Sequence, residues 1–256
     1  GKDYSGNGNN YTPYGFSVAA GVGNDSLEDT PTNNFCTLNS LVGVTTNYAT
    51  FSNGNLDFNL ASHSSQQALG SFLIPKTGKW YVEYVFSSGG GLASVSVRNP
   101  VTLNTVQLNG IAILEFTNGT TQMRADNSYL ESATQTYGDG DIVGIKIDQD
   151  AGTVQFTVDG SNASTAINLS QASDTSDLVF AVSRSQGGTP DVAGSVNFGQ
   201  RPFSYLPTGY KALNSQNLPD PTILLPNKHF DNLLWTGDGN DNRNITGLNF
   251  QPDWVW

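Results

Sequence analysis

Residues 137–160, YGDGDIVGIKIDQDAGTVQFTVDG, constrain the fold more than any other stretch of the chain. Val143, Ile145 and Ile147 alternate with Ile142, Gly144, Lys146 and Asp148, and Val154, Phe156 and Val158 alternate with Thr153, Gln155 and Thr157. A period of two sends successive side chains to opposite faces, so both runs read as half-buried antiparallel strands. Between them, Asp148-Gln149-Asp150-Ala151-Gly152 supplies acids that bond their own backbone and a glycine for positive φ. Gly138-Asp139-Gly140-Asp141 is a second reversal just upstream. The four aspartates of these two reversals therefore read as turn formers. Gly144 stands in mid-strand, where a missing side chain predicts the close approach of another backbone or ring.

Strand-length runs recur along the chain. They fall at residues 14–20, 44–51, 55–60, 68–74, 80–86, 92–97, 111–116, 123–125, 128–130, 164–169, 178–183 and 192–198. Charged residues make up 13% of the chain, about half the usual share of roughly 25%, while aromatics reach 11%. Good helix formers are scarce and Asn, Ser, Thr and Gly abound. These features together predict an all-β protein with long polar loops. In the run at 80–86, Trp80, Val82, Tyr84 and Phe86 share one face and Tyr81, Glu83 and Val85 the other. Two largely apolar faces predict a strand in the middle of a sandwich, with Glu83 facing a partly buried site. Residues 201–210 read as extended chain wrapping back over the fold.

Three ordered segments carry a resemblance. Gly78-Lys79-Trp80-Tyr81-Val82-Glu83-Tyr84, the Gly140-Asp141-Ile142-Val143-Gly144 hairpin with its Asp148, and Leu178–Ser183 followed by Val196-Asn197-Phe198-Gly199-Gln200-Arg201-Pro202-Phe203 resemble the SPRY domain. The resemblance implies a two-sheet antiparallel β-sandwich of the SPRY/concanavalin-like jelly-roll type over residues 1–213. It also implies a structural role for Glu83, and an interaction module, not an enzyme. The opening Asp3-Tyr4-Ser5-Gly6-Asn7-Gly8-Asn9 is similar to the first loop of laminin-G-like jelly rolls. Asn24-Asp25-Ser26-Leu27, with Asp29, Pro31, Thr32, Asn33 and then Phe35-Cys36-Thr37-Leu38-Asn39, resembles a module of marine bacteriophage tail-associated proteins. So do Phe230–Gly239 and Ile245–Trp256. Pro219 and Pro221 make residues 214–228 a linker, and strands are expected at 229–235 and 245–255; the likeness implies that residues 229–256 are a partial second β module. The Trp-Val-Trp ending predicts a polypeptide that continues or a strand that docks on a neighbour.

Composition and motifs exclude several chemistries. The net charge is −11 and the eleven basic residues are scattered singly, so a nucleic-acid partner is not expected. An anionic membrane surface is disfavoured for the same reason, and no apolar run approaches the roughly 18 residues that would span a bilayer. The lone Cys36 reads as a small buried hydrophobe with no base beside it. No paired carboxylates stand two apart on a strand as glycoside hydrolysis would require. His63 and His229 sit in no nucleophile motif. Asp3 alone, and Asp238–Asn242 without a terminal glutamate, fall short of a calcium loop. No cofactor or metal is implied.

Binding remains. Sandwich loops sit at a rim while the sheets hold them rigid, and rings in polar loops suit sugars and peptides. The candidate ligand-binding residues are Arg98, Tyr129, Tyr137 and Arg184. The leading expectation is a virion component of a bacteriophage, a tail fibre or appendage, that binds a host-surface glycan or protein and packs against other virion subunits, including copies of itself. Two rivals stay open: a SPRY-type interaction module of a cellular protein, and a purely structural virion subunit. A glycan hydrolase stands behind both.

Overall fold

The structure, a computed structural model, describes residues 5–9, 14–15, 17–41, 49–61, 66–100, 112–117, 120–125, 128–172, 175–184, 189–220, 222–239, 241–242 and 244–251. The chain divides into two compact units, Gly1–Leu218 and Pro219–Trp256.

In the first unit the alternating runs become fourteen strands among the described residues. In chain order they are β1 (Ala49–Ser52), β2 (Asp57–Leu60), β3 (Gln67–Leu69), β4 (Lys79–Ser88), β5 (Ala93–Arg98), β6 (Ala112–Thr117) and β7 (Thr120–Ala125). Then come β8 (Ser128–Ser132), β9 (Ile142–Asp148), β10 (Thr153–Val158), β11 (Ser161–Asn162), β12 (Ile167–Asn168), β13 (Val179–Arg184) and β14 (Val192–Asn197). They build two antiparallel sheets. One runs β1-β2-β14-β4-β9-β10-β11, with β12 also on β10; the other runs β3-β13-β5-β6-β7-β8. This is the all-β, two-sheet sandwich that the alternation predicts.

The central hairpin forms in the expected register, Val143 opposite Val158 and Asp148 opposite Thr153. Its turn closes when Asp148 Oδ1 accepts the Ala151 N–H at 2.9 Å and Gly152 takes φ 66°. Strand β4 lies between β14 and β9, in the interior of its sheet. Trp80, Val82, Tyr84 and Phe86 point into one core with Val143, Ile145 and Ile147 beside them, and Val95, Val97, Leu114, Phe180 and Val182 come from the facing sheet. Burying such side chains is the main favourable term in folding.

The second face of β4 is covered as well. Residues 199–212 wrap over it, and the Tyr81 ring meets Phe203 edge-on at 5.1 Å. Glu83 lies beneath the wrap and fastens it: its Oε2 accepts the Ser204 N–H at 3.0 Å and its Oε1 the Tyr205 N–H at 2.7 Å. Burial pushes the Glu83 carboxyl up, and the two N–H groups and the Tyr81 hydroxyl pull the other way without cancelling it. Gly144 makes this packing possible. A Cβ there would lie 2.4 Å from Tyr81 Oη and 2.4 Å from Thr157 Oγ1, so the predicted close approach is that of the Tyr81 ring.

The outer face of the other sheet is closed too. By the period of two, Ser94, Ser96 and Arg98 of β5, Gln67 and Leu69 of β3, Val179, Ala181 and Ser183 of β13, and Ile113 of β6 point away from the core, yet all are buried. Leu69, Val179 and Ala181 form a small second apolar cluster there.

Several segments depart from the sequence reading. The described part of 14–20 holds no strand. The chain that follows instead runs beside the wrap, with Gly21 N–H on Pro202 O at 2.8 Å, Glu28 N–H on Gln200 O at 2.7 Å, and Arg201 Nε on Asn24 O at 2.7 Å. Its partner is irregular backbone, which offers no ladder. The run at 164–169 shortens to β12 and a 3-10 turn (Leu169–Gln171), because Asn168 and Gln171 cap each other reciprocally. Residues 214–218 stay with the sandwich: Ser215 N–H bonds Asn34 O at 2.8 Å, and Asn217 Nδ2 bonds Ala212 O at 3.0 Å.

The second unit, described by itself, contains a 3-10 turn (Pro226–Lys228) and no strand among its described residues. The strands predicted at 229–235 and over the described part of 245–255 are not formed. Strand propensity without a pairing partner does not make a ladder. Ile223, Leu224, Leu225, Phe230, Leu234, Trp235 and Ile245 are exposed.

Candidate binding site

One end of the sandwich gathers the turns that precede β5, β9 and β14. Glycine lets them touch backbone to backbone. Gly89, at φ 68°, has room for no side chain, since a Cβ would fall 2.6 Å from Asp191 O; at Gly90 it would fall 2.7 Å from the Gly138 carbonyl carbon. Short polar side chains then lock the turns. Asp139 Oδ1 accepts the Gly90 N–H at 2.7 Å, Asp141 Oδ2 the Gly138 N–H at 2.9 Å, and Asp159 Oδ1 the Ile142 N–H at 3.0 Å. Ser88 Oγ donates to Asp191 O at 3.1 Å. Asp139 and Asp141 are turn formers, as their spacing predicts. Gln135, Thr136, Asp139, Thr189 and Pro190, in or beside these turns, are exposed.

The four predicted site residues are not brought together. Tyr137 is at this rim but buried, its hydroxyl donating to Ala93 O at 2.7 Å and its ring stacked on Phe86 at 5.8 Å. Arg184 is at the same rim, opposite Ala93, and fully buried; its Nη1 donates to Pro190 O at 3.1 Å. Burial lowers its guanidinium, and Asp191 opposes that shift. Both residues hold the rim from beneath. Tyr129 lies on the edge strand β8, 54% exposed, with its hydroxyl 3.1 Å from Ser132 Oγ. It alone of the four offers its ring to solvent.

Arg98 ends β5 at the far end of that strand and is 1% exposed. Its Nη1 donates to Gln67 Oε1. Its Nε and Nη2 meet no acceptor among the described residues. Desolvation brings the guanidinium down to about 10.

The other groups with chemical potential are committed to the fold. Burial pushes the Cys36 thiol up to about 11, and its Sγ accepts from Ser71 Oγ at 3.7 Å. Asp148 pairs with Lys79 Nζ at 2.8 Å, and Asp150 Oδ1 accepts the Gly78 N–H at 2.9 Å. Asp3 and His63 lie outside the described residues; His229 is exposed in the second unit. Among the described residues no three His, Cys, Asp or Glu side chains gather as metal ligands, and no helix is long and apolar enough to cross a membrane.

The sequence reading missed the brace that joins Asp139 to Gly90 and the exposed Gln135 and Thr136. It also missed the company that Arg98 keeps. The alternation Ala-Ser-Val-Ser-Val-Arg over 93–98 already places Ser94, Ser96 and Arg98 on one face.

No family model matches the chain, and no curated protein matches it. Among solved structures it is similar to the SPRY domain of human HERC1, at 15% identity and TM-score 0.45, over 58% of this chain and 91% of that one. It is similar to the TRIM65 PSpry domain at 12% identity and TM-score 0.48, over 63% and 92% of the two chains. It is similar to stonustoxin at 12% identity and TM-score 0.48, over 63% of this chain and 28% of that one. Likenesses at these identities and TM-scores carry no argument about function, which has to come from the geometry of the rim and the sheets.

Proposed function

We propose that this chain is a non-catalytic binding module whose braced rim engages a host-surface glycan or protein, and that it acts in a bacteriophage virion as part of a tail fibre or appendage. The observation that carries the binding reading is the mutual locking of the turns at Gly89, Gly90 and Gly138 by Asp139, Asp141 and Ser88. Loops fixed in this way lose little conformational freedom on binding, so more of each contact appears as affinity. The buried acids and the thiol support the same reading, since each is engaged in holding a turn, the wrap or the core. The virion assignment draws its support from the likeness of the Asn24–Asn33 block and of residues 230–239 to phage tail proteins.

The test is binding of the full chain to glycan arrays, peptide libraries and bacterial cells, beside the variants Gln135→Arg and Thr136→Arg. Both positions are exposed, so the variants should keep the parent's melting temperature and lose binding. Binding to cells or sugars supports the virion reading. Peptide binding alone would reassign the rim to a cellular interaction module. Binding that ignores both substitutions would overturn the rim.

A further inference from the structure

The structure assigns an oxyanion-binding site to the outer face of β5, built from Arg98 and Gln67. This site lies on the sheet face, outside the braced rim, and does not depend on the function proposed for that rim.

The construction follows from the registers. Gln67 stands opposite Ser183, and Ser183 opposite Ser94, so these three side chains form one row on the outer face. Arg98 stands opposite Val179, in a different row. Yet its Nη1 donates to Gln67 Oε1. The two side chains must therefore lean toward each other along β13, Arg98 from the Val179 row and Gln67 from the Ser183 row. The outward residues between them, Ser96 and Ala181, are small enough to let them lie down. The Arg98 guanidinium ends over the intermediate row of Ser96 and Ala181, because the four residues back to Ser94 span about 13 Å of strand, beyond the reach of one arginine side chain.

Once there it is incomplete. A guanidinium has five N–H donors and no acceptor. Arg98 engages Nη1, while Nε and Nη2 have no partner among the described residues. Arg98 is 1% exposed, so bulk water does not satisfy its remaining donors. The shift of Arg98 is due to desolvation alone, with no carboxylate contributing. Buried charges in native proteins are paired, because an isolated one is strongly unfavourable. The other buried arginines of this chain follow that habit in part, each donating to a backbone carbonyl.

The identity of the unengaged donors selects the ligand. Nε and Nη2 share one edge of the guanidinium plane, the fork that meets two oxygens of a carboxylate or phosphate side by side. A neutral carbonyl would engage one donor and leave the charge unanswered. The group that completes the site is a small oxyanion with two oxygens presented together.

The whole chain, labelled with nitrogen-15, tests this directly. It holds five arginines, so the Arg98 Nε–H resonance can be assigned by through-bond correlation. Sodium acetate and sodium phosphate are titrated separately at constant ionic strength, with sodium chloride as the balancing salt. The site predicts a saturating shift of the Arg98 Nε–H signal with at least one of the two, and no shift of the other arginines. Acetate alone identifies a carboxylate site; phosphate alone identifies a tetrahedral one. In Arg98→Met, thermal-shift affinity for the same anion should fall roughly tenfold to a hundredfold, the range for a lost charge-assisted hydrogen bond. If that variant does not fold, the parent's resonance still decides. An Nε–H signal that ignores both anions, or that follows chloride equally, overturns the site and leaves solvent as the partner of Arg98.

Discussion

Gly144→Ala sets two known effects against each other at one atom. The backbone of Gly144 lies outside the left-handed region, so alanine can adopt it. Replacing a strand glycine also narrows the unfolded ensemble, which stabilises by about 0.4–1 kcal/mol. Against this stands the added methyl. It would sit 2.4 Å from Tyr81 Oη, 2.4 Å from Thr157 Oγ1 and 2.7 Å from Tyr81 Cε2, all well inside contact distance. Tyr81 cannot simply retreat: Phe203 packs on its ring at 5.1 Å, and its hydroxyl donates to Glu83 at 3.3 Å. Overpacking costs about 1–3 kcal/mol, and contacts as short as 2.4 Å put this site in the upper half of that range, so the steric term wins by about 1–2.6 kcal/mol. For a unit of this size that lowers Tm by roughly 2–10 °C. Thermal and urea unfolding of the parent and the variant measure it. The cause is separated by repeating the substitution in a Tyr81→Phe/Thr157→Ala background, where both oxygens are gone. There the alanine should cost clearly less, a coupling expected of groups in contact. A Gly144→Ala protein as stable as its parent, or a cost unchanged in that background, would refute the account of the wrap.

Two further outcomes follow from the same geometry. Tyr137→Phe removes the bond to Ala93 O at 2.7 Å but keeps the ring on Phe86, and should cost about 1 kcal/mol in urea unfolding; Tyr137→Ala should cost about 3–5 kcal/mol, as a core ring does. The hydrogen bond from Lys79 holds the Asp148 carboxyl below its ordinary 3.8, with the Ala151 N–H adding to the effect. A folded-state value below the unfolded one contributes stability above the unfolded value, and that stability is lost as pH falls through the folded value. The Tm gap between the parent and Asp148→Asn should therefore be wide at neutral pH and close progressively on acidification below 3.8.

The sheets were legible because period-two alternation survives wherever one face is buried. The 137–160 hairpin, the two-faced strand around Trp80 and the ring approach at Gly144 all follow from residue order alone. The misses share a cause. Over 229–235 the side chains favour a strand, but pairing is a property of a second segment, and no described segment provides it. At 164–169 the Asn168–Gln171 box competes locally with the ladder. The candidate site residues show another limit: Tyr137 and Arg184 adjoin turns in the sequence, but which way a side chain points at a strand end depends on the facing sheet. Tyr137 turns inward because Phe86 and the Ala93 carbonyl are there to receive it.

The three arginines buried in the sandwich unit show why Arg98 stands apart. Arg184 donates to Pro190 O and so fixes the turn before β14. Arg201 donates to Asn24 O and so ties the chain that follows residue 17 to the wrap. In each case the guanidinium holds a distant stretch of backbone, and removing it would release a loop. Arg98 does nothing of this kind. Its one acceptor is a side chain on the same sheet face, and Gln67 is already placed there by the β3–β13 pairing. A residue that braces no loop and has two donors without a partner contributes little to the fold for the desolvation it costs. A structural reading predicts that Arg98→Met, nearly equal in length and apolar, should leave stability unchanged or raise it in anion-free buffer.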